Sequence, residues 1–179
     1  MFPVYTIGHS TRSADEFIGI LQAYGIELLA DIRTIPRSRR NPQFETETLR
    51  SSLTRNGIEY VHLRALGGLR HPKKDSINTA WRNDSFRGYA DYMQTEEFAH
   101  AIDELIARAA RQKTAIMCAE AVPWRCHRSL VADALLVRGV EVIEIMSATS
   151  SRPHALTKWA TVDGTRITYP GPADCATME

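Results

Sequence analysis

Met117-Cys118-Ala119-Glu120-Ala121-Val122-Pro123-Trp124-Arg125-Cys126-His127-Arg128 puts two thiols, a carboxylate, an imidazole and two guanidinium groups into one short stretch. An apolar run precedes it and a helical pattern follows, so it is expected where a strand's carboxyl end hands over to a helix's amino end. Unpaired N–H groups and the helix dipole at such a junction can hold an anion and depress a thiol pKa. Cys126 or Cys118 is then a candidate nucleophile, because His127, Arg125 and Arg128 supply the electropositive setting that favours a thiolate.

Two further chemistries fit the residue types. Cys118, Glu120, Cys126 and His127, together with His9, offer donors compatible with zinc or iron. Cys-x-Glu followed by Pro-x-x-Cys superficially resembles the zinc deaminase signature, but one turn holds both half-motifs and the compact Cys-x-x-Cys pair is missing, so no metal is assigned. The third reading needs neither thiol attack nor metal. Asp31 and Glu120, at neighbouring strand ends, act as general base or nucleophile with His9 or His127 as acid, while Arg33, Arg64 and Arg128 hold a phosphate. Ser10, Arg37 and Tyr89 complete the candidate substrate contacts. The order strand, cysteine, loop, arginine, helix distantly resembles rhodanese and cysteine-phosphatase loops. Those loops are glycine-rich, whereas Glu120, Val122, Pro123 and Trp124 fill this one.

Each reading has a plainer counterpart. Free cysteines are commonly buried and inert, and an internal Asp31–Arg33 or Glu120–Arg pair can simply neutralise buried charge. A non-catalytic alternative is nucleic-acid binding. Arg37, Arg39 and Arg40, then Lys73, Lys74, Trp81, Arg82, Phe86, Arg87, Tyr89 and Tyr92, interleave phosphate-binding charge with faces able to stack on bases. The preferred account of Phe86, Tyr89 and Tyr92 is a core-facing helix stripe. Leu66-Gly67-Gly68-Leu69 gives backbone freedom near a strand end, which by itself is weak evidence for a phosphate loop.

The elements that must position these groups alternate short apolar strands with amphipathic helices. Val4 to Gly8 reads as a strand, and Ser13-Ala14-Asp15-Glu16 is a capping box ahead of Phe17, Ile20, Leu21 and Tyr24 at helical spacing. A strand over 26–33 follows, then a basic loop through Pro36 and Pro42, a helix from Thr46 to Asn56 and a strand from Ile58 to Leu63. Thr95 caps a longer helix carrying Phe98, Ile102, Leu105, Ile106 and Ala109. Thr114 to Cys118 is the next strand, a helix begins near Cys126 or His127, and Val140 to Met146 closes the core. Gly25, Gly57 and Gly139 each end a helix before a strand, as residues able to adopt the left-handed conformation do.

Near-continuous apolar runs such as Leu28-Leu29-Ala30 suit strands covered on both faces. The expected fold class is therefore α/β, a three-layer domain with a mainly parallel sheet in Rossmann-like or flavodoxin-like winding. Trp159 to Tyr169, around Asp163-Gly164, reads as a C-terminal hairpin appendage. Ser147 to Pro153 reads as a loop, His71, His100 and His154 as surface residues, and 171–179 as a flexible tail behind one domain over 1–170. In this class function gathers at the carboxyl ends of the strands. Asp31 and Arg33, two apart on a strand, should point to the same side.

Composition sets outer limits. A chain of 179 residues, 44% hydrophobic and 24% charged, can bury one substantial core. No apolar stretch approaches the roughly 20 residues that span a bilayer, and Met1 to Ile7 enters a strand pattern without a basic leader. Three cysteines make an odd set that suits a reducing compartment, so a cytoplasmic protein without a membrane partner is expected. Between Arg33 and Arg87 twelve basic residues face five acids, although the net charge is only +1. That asymmetry favours a small phosphate-bearing ligand or a nucleic acid as partner; no cofactor is singled out.

The ordered set Thr6-Ile7-Gly8-His9-Ser10, Asp31-Ile32-Arg33 with Pro36 and Ser38, Pro42-Gln43-Phe44, Leu66-Gly67-Gly68, Phe86 to Met93, and Met117-Cys118-Ala119-Glu120 with Cys126-His127-Arg128 resembles domain-of-unknown-function family 488 over about residues 4 to 170. The resemblance implies a bacterial or archaeal α/β domain and supports the choice of site. It assigns no reaction. The reading that follows is a cytosolic enzyme with a cationic pocket at the strand carboxyl ends, acting on a phosphate-bearing substrate such as a nucleotide or nucleic acid.

Overall fold

Strand β1 (Val4–Gly8) leads into helix α1 (Ala14–Ala23) in a computed structural model that describes residues 3–172. Ser13 caps α1 by accepting the Glu16 N–H at 3.1 Å, while the Glu16 carboxylate lies 3.5 Å from Arg12. After α1 come β2 (Leu28–Asp31), α2 (Thr46–Arg55) and β3 (Glu59–His62). Helices α3 (Asp84–Tyr92) and α4 (Glu96–Ala109) precede β4 (Thr114–Cys118). Helix α5 (Arg128–Leu136), β5 (Val142–Ser147) and β6 (Ser150–Pro153) follow, then a separate hairpin of β7 (Thr161–Asp163) and β8 (Arg166–Thr168). Gly25, Gly57 and Gly139 have φ of 63°, 71° and 76°, the left-handed helix ends that their positions predict.

The main sheet has six strands in the order β3-β2-β4-β1-β5-β6, parallel except for β6. The chain winds from β1 to β2 to β3 in one direction, then jumps back to β4 and on to β5. Right-handed crossovers must therefore place α1 and α2 on one face and α3, α4 and α5 on the other. The two cores show that division. Phe17, Leu21, Leu49 and Leu53 pack with Ile7, Leu29 and Met117, while Ile102, Leu105, Leu130 and Leu135 pack with Val4, Ala30 and Ile116. The strand residues alternate between these clusters with the period of two that a pleated strand imposes. This is the three-layer α/β architecture, with the hairpin as a C-terminal addition.

One segment departs from expectation. Ser147 to Pro153 is not a loop: Ser150–Pro153 forms β6, an exposed antiparallel edge strand paired to β5 across a tight turn. Its residues lack alternation because neither face is buried, so the usual sequence signal is missing. Residues 173–179 of the expected tail lie outside the described residues. Among the described residues no helix is long and apolar enough to cross a membrane.

Candidate functional site

Strand β4 lies between β2 and β1, and the chain leaves it toward the opposite face from both neighbours. Such reversals open a crevice beyond the strand carboxyl ends, and Cys118, the last residue of β4, stands in it. Gly8 ends β1 in register with Cys118. A Cβ on Gly8 would collide with the Glu120 carbonyl, so a missing side chain is what lets the loop after β4 close over β1. The His9 and Ser10 amides extend the pairing by donating to the Cys118 and Ala119 carbonyls at 2.9 and 3.0 Å. The resulting cavity, about 300 Å³, is lined by His9, Arg33, Arg37, Cys118, Glu120, Arg125, Cys126 and His127, with Thr34, Ile35, Ser38, Gly68, Leu69 and Ala119.

Its floor is a thiol pair. The Sγ atoms of Cys118 and Cys126 are 2.6 Å apart, with the Cys126 thiol donating. Burial pushes the Cys118 thiol up, but the hydrogen bond from Cys126 and the Arg128 guanidinium outweigh it and leave Cys118 below its ordinary value. The Cys126 thiol is driven well up by the hydrogen bond it gives to Cys118, by burial and by the charge on Cys118. Within the pair the shared hydrogen bond therefore lowers Cys118 and raises Cys126, and Cys118 Sγ also lies 3.6 Å from the Glu120 carbonyl.

Arg128 favours the charged form of both thiols, and the hydrogen bond from Cys126 to Cys118 separates them. The Arg128 side chain is 1% exposed; Nη2 donates to the Ala121 carbonyl at 3.3 Å, while Nε and Nη1 have no hydrogen-bond partner. Among the described residues no carboxylate pairs with it. A buried guanidinium is costly without a counter-charge, and this one favours the charged form of the neighbouring Cys118.

His127 does not supply the positive charge. Its Nε2 lies 3.1 Å from the Ile32 carbonyl, which can only accept, so Nε2 carries the hydrogen and Nδ1 faces Cys126 Sγ at 3.5 Å. Burial drives its pKa down to about 4, so the ring is neutral at pH 7. His9 is held down mainly by burial as well; its ring stacks on Phe44 at 4.1 Å. His9 Nδ1 donates to the Ser10 carbonyl at 2.7 Å, which leaves Nε2 facing Arg33 Nη1 at 3.5 Å.

Asp31 and Arg33 do point to one side, and they bind each other. Arg33 Nε and Nη2 reach Asp31 Oδ1 and Oδ2 at 2.9 and 2.6 Å, the Arg33 amide donates to Oδ1 at 3.0 Å, and the Tyr60 hydroxyl donates to Oδ2 at 2.7 Å. Asp31 is fully buried and does not line the cavity; it holds Arg33 in the wall. Burial first, and then the charge on Asp31, keep the Tyr60 phenol protonated. Glu120 is left as the carboxylate at the rim, where its Oε1 accepts from the Val122 amide at 3.0 Å.

Several amides of the loop are already engaged within it, among them Val122, which donates to Glu120 Oε1 at 3.0 Å. Arg125 donates to the Val122 carbonyl, Cys126 to Pro123 and Ser129 to Cys126, and the Arg128 amide points at Cys126 Sγ, 3.5 Å away. Pro123 has no N–H at all. Arg37 and Arg125 are exposed and bring two guanidinium groups to the cavity lining.

Other candidates take supporting positions. Tyr89 is buried and donates to the Leu66 carbonyl at 2.7 Å, bracing the Leu66-Gly67-Gly68 turn, and Tyr92 is buried beside it. The core-stripe account of that helix therefore holds, and its aromatic faces are not offered to bases. Arg64 lines a neighbouring cleft with Arg70 and Glu97. Ser10 lies just outside the cavity, with φ of 52°.

Thr34, Ile35, Ser38, Gly68 and Leu69 were not legible as lining residues. Their one signal is the Gly67-Gly68 pair. A Cβ on Gly68 would come within 3.0 Å of His127 Nδ1, and the Thr34 hydroxyl donates to the Gly68 carbonyl at 2.8 Å. Leu69, next in line, is 71% exposed with φ of 57°, a strained conformation for leucine of the kind that gathers at functional sites. Among the described residues no three His, Cys, Asp or Glu side chains converge to hold a metal ion.

His154 is not a surface residue. It lies between Asp133 Oδ1 and Glu144 Oε1, each 2.8 Å from a ring nitrogen, with its side chain 6% exposed.

The family model for the domain of unknown function DUF488 matches residues 13–135. The chain belongs to the DUF488 family. The matched stretch runs from the α1 cap to the end of α5 and includes the whole of Cys118 to Arg128; β1 and its His9 precede it. Comparison with curated proteins and with solved structures gave no match. DUF488 membership carries no reaction with it, so function rests on the site.

Proposed function

We propose that the chain is an enzyme in which the Cys118 thiolate attacks a phosphate group of a substrate such as a nucleotide, bound in the cavity at the end of β4. An S–P bond forms as the P–O bond to the leaving group breaks, and water then hydrolyses the S–P bond. One observation carries the reading: a buried guanidinium, Arg128, has no carboxylate, and the Cys118 thiol that it polarises lines the cavity. Thiolate, not thiol, is the nucleophile, and a depressed pKa makes it available at neutral pH. Arg33, oriented by Asp31, and the exposed Arg37 and Arg125 hold the phosphate. Glu120 at the rim exchanges a proton with the leaving group. Neutral His9 and His127 flank the thiolate without adding to the positive charge that substrate must neutralise.

A panel of nucleotides and phosphorylated small molecules tests this with wild type and Cys118→Ser, followed by turnover and by intact mass after a denaturing quench. The expected result is turnover or a covalent adduct with wild type and neither with Cys118→Ser. Equal turnover by the two proteins overturns the assignment of Cys118. Absence of turnover, adduct and any protection of Cys118 from alkylation by inorganic phosphate overturns the phosphate site.

A further inference from the structure

The proposed reaction uses Cys118 and leaves Cys126 without a task, yet its sulfur is 2.6 Å away in the same cavity. We propose that Cys118 and Cys126 form a dithiol–disulfide couple that reduces small anionic disulfides, with Cys118 as the attacking thiol and Cys126 as the resolving one. The inference rests on reading Cys118 as the thiolate. It adds a second class of substrate, a disulfide flanked by carboxylates that Arg37 and Arg125 can bind.

The steps balance. The Cys118 thiolate attacks one sulfur of the disulfide; a Cys118–substrate S–S bond forms, the substrate's S–S bond breaks, and the first half departs as a thiolate. That thiolate takes the proton from Cys126. The Cys126 thiolate attacks Cys118 Sγ, forming the Cys118–Cys126 bond and releasing the second half as a thiolate, which solvent protonates. The protein's dithiol is oxidised by two electrons and the disulfide is reduced to two thiols.

Arg128 makes the second step possible. While Cys118 is anionic, the hydrogen bond to it and its charge hold the proton on Cys126. Once Cys118 is bound in a disulfide those two restraints vanish while burial remains, and the guanidinium, again without a counter-charge, opposes that burial in favour of a thiolate on Cys126. The negative charge passes from one sulfur to the other across a gap that must close by roughly half an ångström to reach a disulfide bond of about 2.05 Å. His127 is neutral and brings no positive charge to Cys126 Sγ, which its Nδ1 lone pair faces at 3.5 Å.

The test uses the full chain carrying Cys175→Ser, so that only the two cavity cysteines remain. It is treated with oxidised glutathione, quenched by denaturation with an alkylating agent, and weighed intact. With both cysteines present, the expected product has lost two hydrogens and retains no glutathione. Adding Cys126→Ser, or Cys126→Ala should the serine variant fail to fold, should leave one glutathione stably attached to Cys118; adding Cys118→Ser should leave the protein unmodified. Retention of glutathione with both cysteines present overturns the proposal. So does a lack of internal disulfide when iodoacetamide still alkylates Cys118 readily at neutral pH, and there the nucleophile reading survives. Should Cys118 resist iodoacetamide as well, both readings fall together.

Discussion

Helix α5 carries two buried charges with opposite fates. Near its carboxyl end Asp133 is fully engaged: Oδ1 accepts from His154 Nε2 at 2.8 Å and the Thr157 amide at 3.2 Å, and Oδ2 accepts from the Tyr169 hydroxyl at 2.8 Å. His154 Nδ1 turns to Glu144, which also accepts from Arg152 Nε at 2.6 Å. The network ties α5, β5, β6 and the segment beyond the hairpin into one body. Burial pulls the His154 pKa down, but the hydrogen bonds and charges of Asp133 and Glu144 lift it to about 9. At the amino end, Arg128 is equally buried and has two nitrogens without partners. A satisfied network fixes a fold. A buried charge left short of partners, next to a thiol at a cavity, is the feature on which the proposed chemistry rests.

Breaking the satisfied end should have the largest effect. Asp133→Ala removes one of the two carboxylates on the His154 imidazolium and leaves the Tyr169 hydroxyl without its acceptor, and a loss of roughly 3 kcal/mol in denaturant unfolding is expected. The alkylation midpoint of Cys118 should stay where it was; a shift would mean the two clusters are not independent.

The next effect is a pH dependence of the same network. Because the folded pKa of His154 is raised from 6.5 to about 9, its contribution is complete below about 6.5 and is lost as pH rises through about 9. Wild type should lose up to about 3 kcal/mol across that window relative to His154→Gln. Parallel stability curves for the two proteins would show that the imidazolium is not held by its carboxylates.

The unsatisfied end should respond the opposite way. Arg128→Met removes a buried charge that lacks a carboxylate, so stability should change by no more than about 1 kcal/mol in either direction. The Cys118 alkylation midpoint should climb, with less thiolate at fixed pH. A variant that unfolds readily with Cys118 unchanged would make Arg128 a packing residue. Smallest of all, Arg37→Ala should alter stability by less than about 0.5 kcal/mol while weakening protection of Cys118 by inorganic phosphate. Unchanged protection would take Arg37 out of the anion site.

How much of this the sequence disclosed depended on the kind of signal. Strand and helix order, the Ser13 and Thr95 caps and the three helix-ending glycines were legible because they are local. The convergence of His9, Arg33, Cys118, Glu120, Cys126 and His127 followed from the placement of function at strand ends. Which groups pair with which was not legible, because pairing is decided by tertiary distance. Asp31 was read as a base or as a partner of Arg33, and the geometry gives it that partnership. His154 had no local pattern because its carboxylates come from α5 and β5. The stretch that became β6 hid because an edge strand exposed on both faces shows no alternation. Gly8 was read only as part of a motif, and its need to lack a side chain appears once the Glu120 carbonyl is in place above it.

The most direct measurement is the pH dependence of iodoacetamide alkylation at Cys118, followed by peptide mass spectrometry in the Cys175→Ser background with and without Arg128→Met. A midpoint below the roughly 8.5 of a free cysteine, moving upward when Arg128 is removed, is the predicted result. A midpoint at or above that value, indifferent to Arg128, contradicts the assignment of Cys118 as the site's thiolate.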